Sequence, residues 1–313
     1  MGSKIAYSRK TLALLSVILV LGLSAQAQTL QEETEAARTL FQKNKDCVIT
    51  LLVVQKRKFN FGPHSQESES RQEVTGTIIS PDGLTVMSLA TVDPSTVMRG
   101  MMSTDSSLDG GPSMSVDSEI SDLKMLLDGD REIPAEIVLR DADLDLAFAR
   151  PLTPVNEPLP YLDLTQSGEP SLLDRVVSIS RLGKVANRVH GLSFEFIEAI
   201  VEKPRRFYIP GNSPTLTSQG CPAFLLDGRV AGIFVMRIAK DRGTQSGSMF
   251  SGLSNNIIGI MLPPDQILEV AKQVPERNTN AGNTPPSTPN ADGQNSAGPS
   301  SQETSPTPDA GAP

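Results

Sequence analysis

The chain has 313 residues, a formal net charge of −8 and an isoelectric point near 5.0. That length is enough for one large all-β domain or two smaller ones. The acidic balance, with no clustered Lys/Arg surface and no phosphate-cradling Gly-rich loop, excludes nucleic acid as a partner. Two histidines, His64 and His190, and two cysteines, Cys47 and Cys221, are all the chain contains. Neither pair has metal-ligand spacing, so no metal and no cofactor are expected.

Arg9 and Lys10 precede an apolar run from Thr11 to Leu23, and Ala25-Gln26-Ala27 then forms a small-x-small site. This predicts a signal peptide over 1–27 with maturation before Gln28. The run is short for a transmembrane span of roughly 20 residues. Cleaved or kept as an anchor, it puts the body outside the cytoplasm, periplasmic or secreted, with membrane contact only through this segment if it is uncleaved.

A helical lead-in is expected over 28–44, its helix at Leu30 to Phe41. Short apolar runs alternating with turn signals follow, the pattern of a barrel or a sandwich. Cys47 to Val54 is a β-branched run. Val74 to Ile79 and Leu84 to Leu89 flank the turn Ser80-Pro81-Asp82-Gly83, a hairpin. Residues 94–120, rich in Ser, Asp, Met and Gly without a period, read as a long inserted surface loop. Lys124 to Leu127 and Ile133 to Leu139 form a second hairpin around Asp128-Gly129. Further strands are expected at Leu144 to Ala149, Arg175 to Ser180, Phe194 to Val201, Pro222 to Leu226, Val230 to Met236 and Ile257 to Leu262. A closing helix over 265–274 presents Ile267, Val270, Ala271 and Val274 at helical spacing. From 275 to 313 the chain is Asn, Thr, Pro, Ser, Gly and Ala with few apolar residues, the composition of a disordered tail.

Several segments resemble, in order, the trypsin-like protease domain of the HtrA/Deg family. They are Thr75 to Gly83, Leu126 to Gly129 followed by Ile133 to Asp141, Asp145-Leu146-Ala147-Phe148-Ala149, Val176 to Gly183, Leu226 to Ile233, and Ile258 to Pro263. The resemblance spans roughly 45–274. It implies an all-β fold, a trypsin-like double β-barrel with the first barrel at about 45–155, the second at about 156–262 and the helix closing it. No PDZ domain is expected after the body, because the tail there has the composition of a disordered segment.

That fold performs acyl transfer with a Ser deprotonated by a His, an Asp that orients the His, and backbone amides around the oxyanion. Counting on from Gly83, the resemblance sets the His position at Ala90, which cannot accept a proton. Asp145 keeps the Asp position, where it is either a remnant of the triad or a satisfied loop acid. Counting back from Asp227, the nucleophile position is Gln219, in Thr217-Ser218-Gln219-Gly220-Cys221-Pro222. The oxyanion loop also departs from the pattern, with Thr217 and Cys221 where the family has Gly, although Gly220 is kept. A β-branched residue resists the unusual backbone such a loop needs.

Three rescues are open. Ser213, in Gly211-Asn212-Ser213-Pro214, could be a displaced nucleophile, Cys221 could act as a thiolate, and His190 could supply the base from the second barrel. His64, among Gly62, Pro63 and Ser65, reads as a solvated loop residue. The cysteines fall in different barrels and are expected to be unpaired. Together these features predict a serine protease homologue that has lost catalysis, a pseudoprotease that binds an extended peptide or partner protein in the cleft between barrels. The alternative is an active serine endopeptidase rebuilt around Ser213, His190 and Asp145. A structural barrel tethered by its tail to the cell envelope is a third reading. Oligomeric state and ligand identity are not legible.

Overall fold

The computed structural model describes residues 29–61, 64–95, 114–128, 131–211, 218–238 and 257–277. A helix over 29–44 (α1) leads through a short 3-10 turn at Lys45–Cys47 into β1 (Val48–Phe61). The first barrel continues with β2 (His64–Ile78), β3 (Thr85–Ser88), β4 (Met114–Leu126), β5 (Glu132–Asp141) and β6 (Leu146–Pro151), with one helical turn, α2 (Leu89–Val92), after β3. The second comprises β7 (Arg175–Arg181), β8 (His190–Val201), β9 (Phe207–Pro210), β10 (Pro222–Leu225), β11 (Val230–Ile238) and β12 (Ile257–Leu262), followed by α3 (Pro264–Ala271).

Both barrels are closed and antiparallel. Their strand orders are β1-β2-β3-β6-β5-β4 and β10-β11-β12-β9-β8-β7. Read from its own first strand, the second repeats the order of the first. Two six-stranded barrels of one topology in tandem make a trypsin-like double β-barrel.

The strands form where apolar side chains can be buried. In β3, β10 and the first four residues of β6 every side chain is buried, so a continuous run replaces alternation. Val48, Ile49, Leu51, Ile78, Val86, Leu146 and Phe148 of the first barrel join Val177, Ile179, Phe224, Ile233 and Leu262 of the second in one continuous core. Ala37 and Leu40 of α1 and Ile267 and Val270 of α3 belong to that core too. In the turn between β2 and β3, Gly83 donates its N–H to the Ser80 carbonyl at 3.1 Å and has φ +90°. A Cβ there would stand 2.8 Å from the Pro151 side chain, so both conformation and space call for glycine.

Several elements differ from the sequence reading. β4 begins at Met114, so 114–120 is strand rather than loop; 96–113 lie outside the described residues. Likewise β1 runs on to Phe61 and β2 starts at His64, which is an exposed strand residue and not a loop histidine. These extensions carry Ser, Gln, Lys and Glu, and ladder hydrogen bonds hold them where no apolar face does. β9 was not expected, and β8 starts at His190 instead of Phe194. The closing helix stops at Ala271. The segment 1–27 and the tail beyond 277 lie outside the described residues.

Candidate functional site

Asp145 ends the turn between β5 and β6. The Asp141 carboxylate fixes that turn by accepting the amides of Asp143 and Leu144, both at 2.9 Å. Asp145 itself sits at φ +57°, a conformation that Asp tolerates better than most residues. Its carbonyl accepts the Leu89 amide at 2.9 Å. Its Oδ1 accepts the Ala90 amide at 2.6 Å, and its Oδ2 accepts the Ser88 hydroxyl at 2.6 Å and the Met236 amide at 2.7 Å. Asp145 thus ties the start of α2 in the first barrel to β11 of the second. The residue is 8% exposed. Burial pushes its carboxyl up to about 6, and the hydrogen bonds from Ser88, Met236 and Ala90 pull the other way. Three donors occupy it.

Ala90, at the position that the resemblance assigns to His, is 5% exposed, and its methyl group carries no proton acceptor. At the nucleophile position Gln219 is 1% exposed, and neither Oε1 nor Nε2 has a hydrogen-bond partner among the described residues. An amide cannot attack a carbonyl carbon, and this one is sealed from solvent.

The turn around Gln219 is clamped from both barrels. Gly220 donates its N–H to the Phe234 carbonyl at 2.7 Å, and its carbonyl accepts the Thr77 hydroxyl at 2.7 Å. The Cys221 amide donates to the Ser218 carbonyl at 3.2 Å. Gly220 has φ +83°, and a Cβ on it would fall 2.2 Å from the Thr75 carbonyl oxygen. That contact leaves no room for a side chain at this position.

The proposed rescues fare differently. Cys221 is fully buried and its thiol is pushed up to about 12, so a thiolate is absent near neutral pH. Cys47 is also a buried free thiol, with its pKa raised by burial to about 12. His190 is not brought to Asp145. Its Nε2 lies 3.0 Å from the Val48 carbonyl and 3.0 Å from Arg181 Nη1, and Arg181 pairs with Asp128 at 2.7 Å. Burial lowers the His190 pKa, which favours the neutral ring whose Nε2–H donates to Val48. Ser213 and Thr217 lie outside the described residues.

Sequence reading missed Ser88, Met236, Thr75 and Thr77. Ser88 stands two residues before the His position, where a count along the motif could have flagged it. The other three come together only through the packing of barrel on barrel.

No protein-family model and no curated protein sequence matches this chain.

Proposed function

We propose that this chain is a degenerate HtrA/Deg-type protein, exported to a periplasmic or extracellular space, that no longer cleaves peptides and instead binds an extended peptide or partner protein in the cleft between its barrels. The observation that carries the loss of catalysis is the closure around Asp145. Its carboxylate accepts from Ser88, Ala90 and Met236, and among the described residues no imidazole stands beside it. Acyl transfer needs a base within hydrogen-bond reach of the nucleophile and free donors at the oxyanion. The described residues of this site offer no such base.

The binding half of the reading rests on β11. β10 pairs with it only from Val230 to Ile233. Beyond that the Phe234 amide and carbonyl turn to the Gly220–Cys221 turn and the Met236 amide turns to Asp145. By strand alternation the backbone of Ile238 faces the same side, and an extended chain can add there as a strand.

Labelling of the purified protein with a fluorophosphonate, run beside a casein digest, tests the loss of catalysis. No label and no cleavage above buffer are expected, and Ser213→Ala should change neither. Labelling that disappears in Ser213→Ala would establish the rearranged enzyme instead.

A further inference from the structure

β1 is paired along both edges, to β2 from Val48 to Phe61 and to β4 from Thr50 to Phe61. Its two partners are far less covered on their outer sides. β2 meets β3 only at Thr77 and Ile78, and β4 meets β5 only from Lys124 to Leu126. The distal part of this sheet is therefore a three-stranded ribbon that extends beyond the closed barrel. The foot of the β2 edge is occupied. The Gln72 amide donates to the Thr91 and Val92 carbonyls, and the Glu73 carboxylate holds the Lys184 amide and the Arg188 guanidinium. From His64 to Arg71 no strand lies beside β2 on the side away from β1 among the described residues. An open edge of that length offers a row of unpaired backbone donors and acceptors to another chain.

Charge selects which chain fits. Lys56 faces Glu69 on one side and Glu119 on the other, and Lys58 faces Glu67 and Asp117 in the same way. All six side chains border one hollow of about 470 Å³ on the ribbon. Each row therefore has two carboxylates for one ammonium, with the acids outermost; Arg57 also borders the hollow, and Arg71 makes a long 3.9 Å contact with Glu69. The contact between Lys58 and Glu67 is loose, 3.7 Å, with the Glu67 side chain 78% exposed. A second copy adding edge to edge at β2 would bring Glu67 and Glu69 against the same acids, an arrangement that like charges disfavour. A strand with Lys or Arg at alternate positions meets opposite charge at both.

We propose that the His64–Arg71 edge of β2 is a docking site for a basic extended peptide segment, which adds to the ribbon as a fourth strand with its cations beside Glu67 and Glu69. This site uses other residues than the cleft around Asp145. It stands whether or not the chain is catalytic. The net charge of −8 draws such a segment in, and added salt should weaken it.

The probe is a fluorescent nonapeptide of alternating Lys and Thr, titrated against the full chain by anisotropy. Two further versions carry N-methyl groups on alternate amides, one in each phase. Ladder bonding uses one phase only, so one methylated peptide should lose at least tenfold in affinity and the other should keep most of it. Glu67→Lys/Glu69→Lys should also lose at least tenfold, and Asp117→Lys/Glu119→Lys on the far edge should lose markedly less. Both pairs lie at the surface, and circular dichroism verifies that each variant is folded. Absence of binding overturns the proposal. So does equal binding by both methylated peptides, which would mean charge attraction without a ladder. Equal loss in the two edge variants overturns the choice of edge, and sedimentation that reveals a dimer dissolved by Glu67→Lys/Glu69→Lys would make the occupant a second copy.

Discussion

Asp145 has a folded-state carboxyl near 6 against an ordinary value of 3.8. The folded protein therefore binds this proton more tightly than the unfolded chain does. Its contribution to stability is full below the unfolded value and is lost as pH rises from about 4 to about 6, a decline of about 3 kcal/mol. Denaturant titrations from pH 4 to 7 on the wild type and on Asp145→Asn measure it by difference. The wild-type curve should fall through that window relative to the variant, which has no proton to release there. Parallel curves would mean that the three donors offset the desolvation. The sequence left the state of this acid open, because burial and the Met236 amide are supplied by the second barrel.

At the scale of elements, the turn 218–221 and the ribbon were read with opposite success. The turn was located by counting back from Asp227-Gly228, because a short hairpin keeps a constant register. Its contacts were hidden, since Thr75, Thr77 and Phe234 reach it across the interior. A consequence concerns Gln219, whose buried amide has no partner among the described residues. Replacing it by Met keeps shape and removes two desolvated polar atoms, so Gln219→Met should raise stability by about 1–3 kcal/mol, read as a higher Tm. A lower Tm would show that the amide is held by residues outside those described. The ribbon was misread because its strands bury little. In β2 the residues from His64 to Glu69 are all exposed, so no period-two apolar signal exists there.

For the whole molecule, the core passes without interruption from α1 through both barrels to α3. Asp145 adds a hydrogen bond from barrel to barrel at Met236, and Thr77 adds another at Gly220. Barrels coupled this way should unfold together. Scanning calorimetry is expected to give one transition whose calorimetric and van't Hoff enthalpies agree. Two resolved transitions would mean that the barrels are separable folding units.

Local chemistry determined much of this protein from its sequence alone. The turns at Ser80 to Gly83 and Asp227-Gly228 and the β-branched and apolar runs between them implied an all-β barrel or sandwich, because turn formation and strand burial depend on residues close in sequence. The family resemblance of those segments implied two barrels. The resemblance, by the same counting, proposes Ala90 and Gln219 for the base and nucleophile positions. Only the tertiary structure decided that Asp145 accepts from Ser88, Ala90 and Met236, that His190 belongs to Val48 and Arg181, that Gln219 is buried, and that β1, β2 and β4 continue outward as a ribbon. Each of those facts depends on groups far apart in the chain, whose distance, burial and pairing exist only once strands have paired and barrel has packed on barrel.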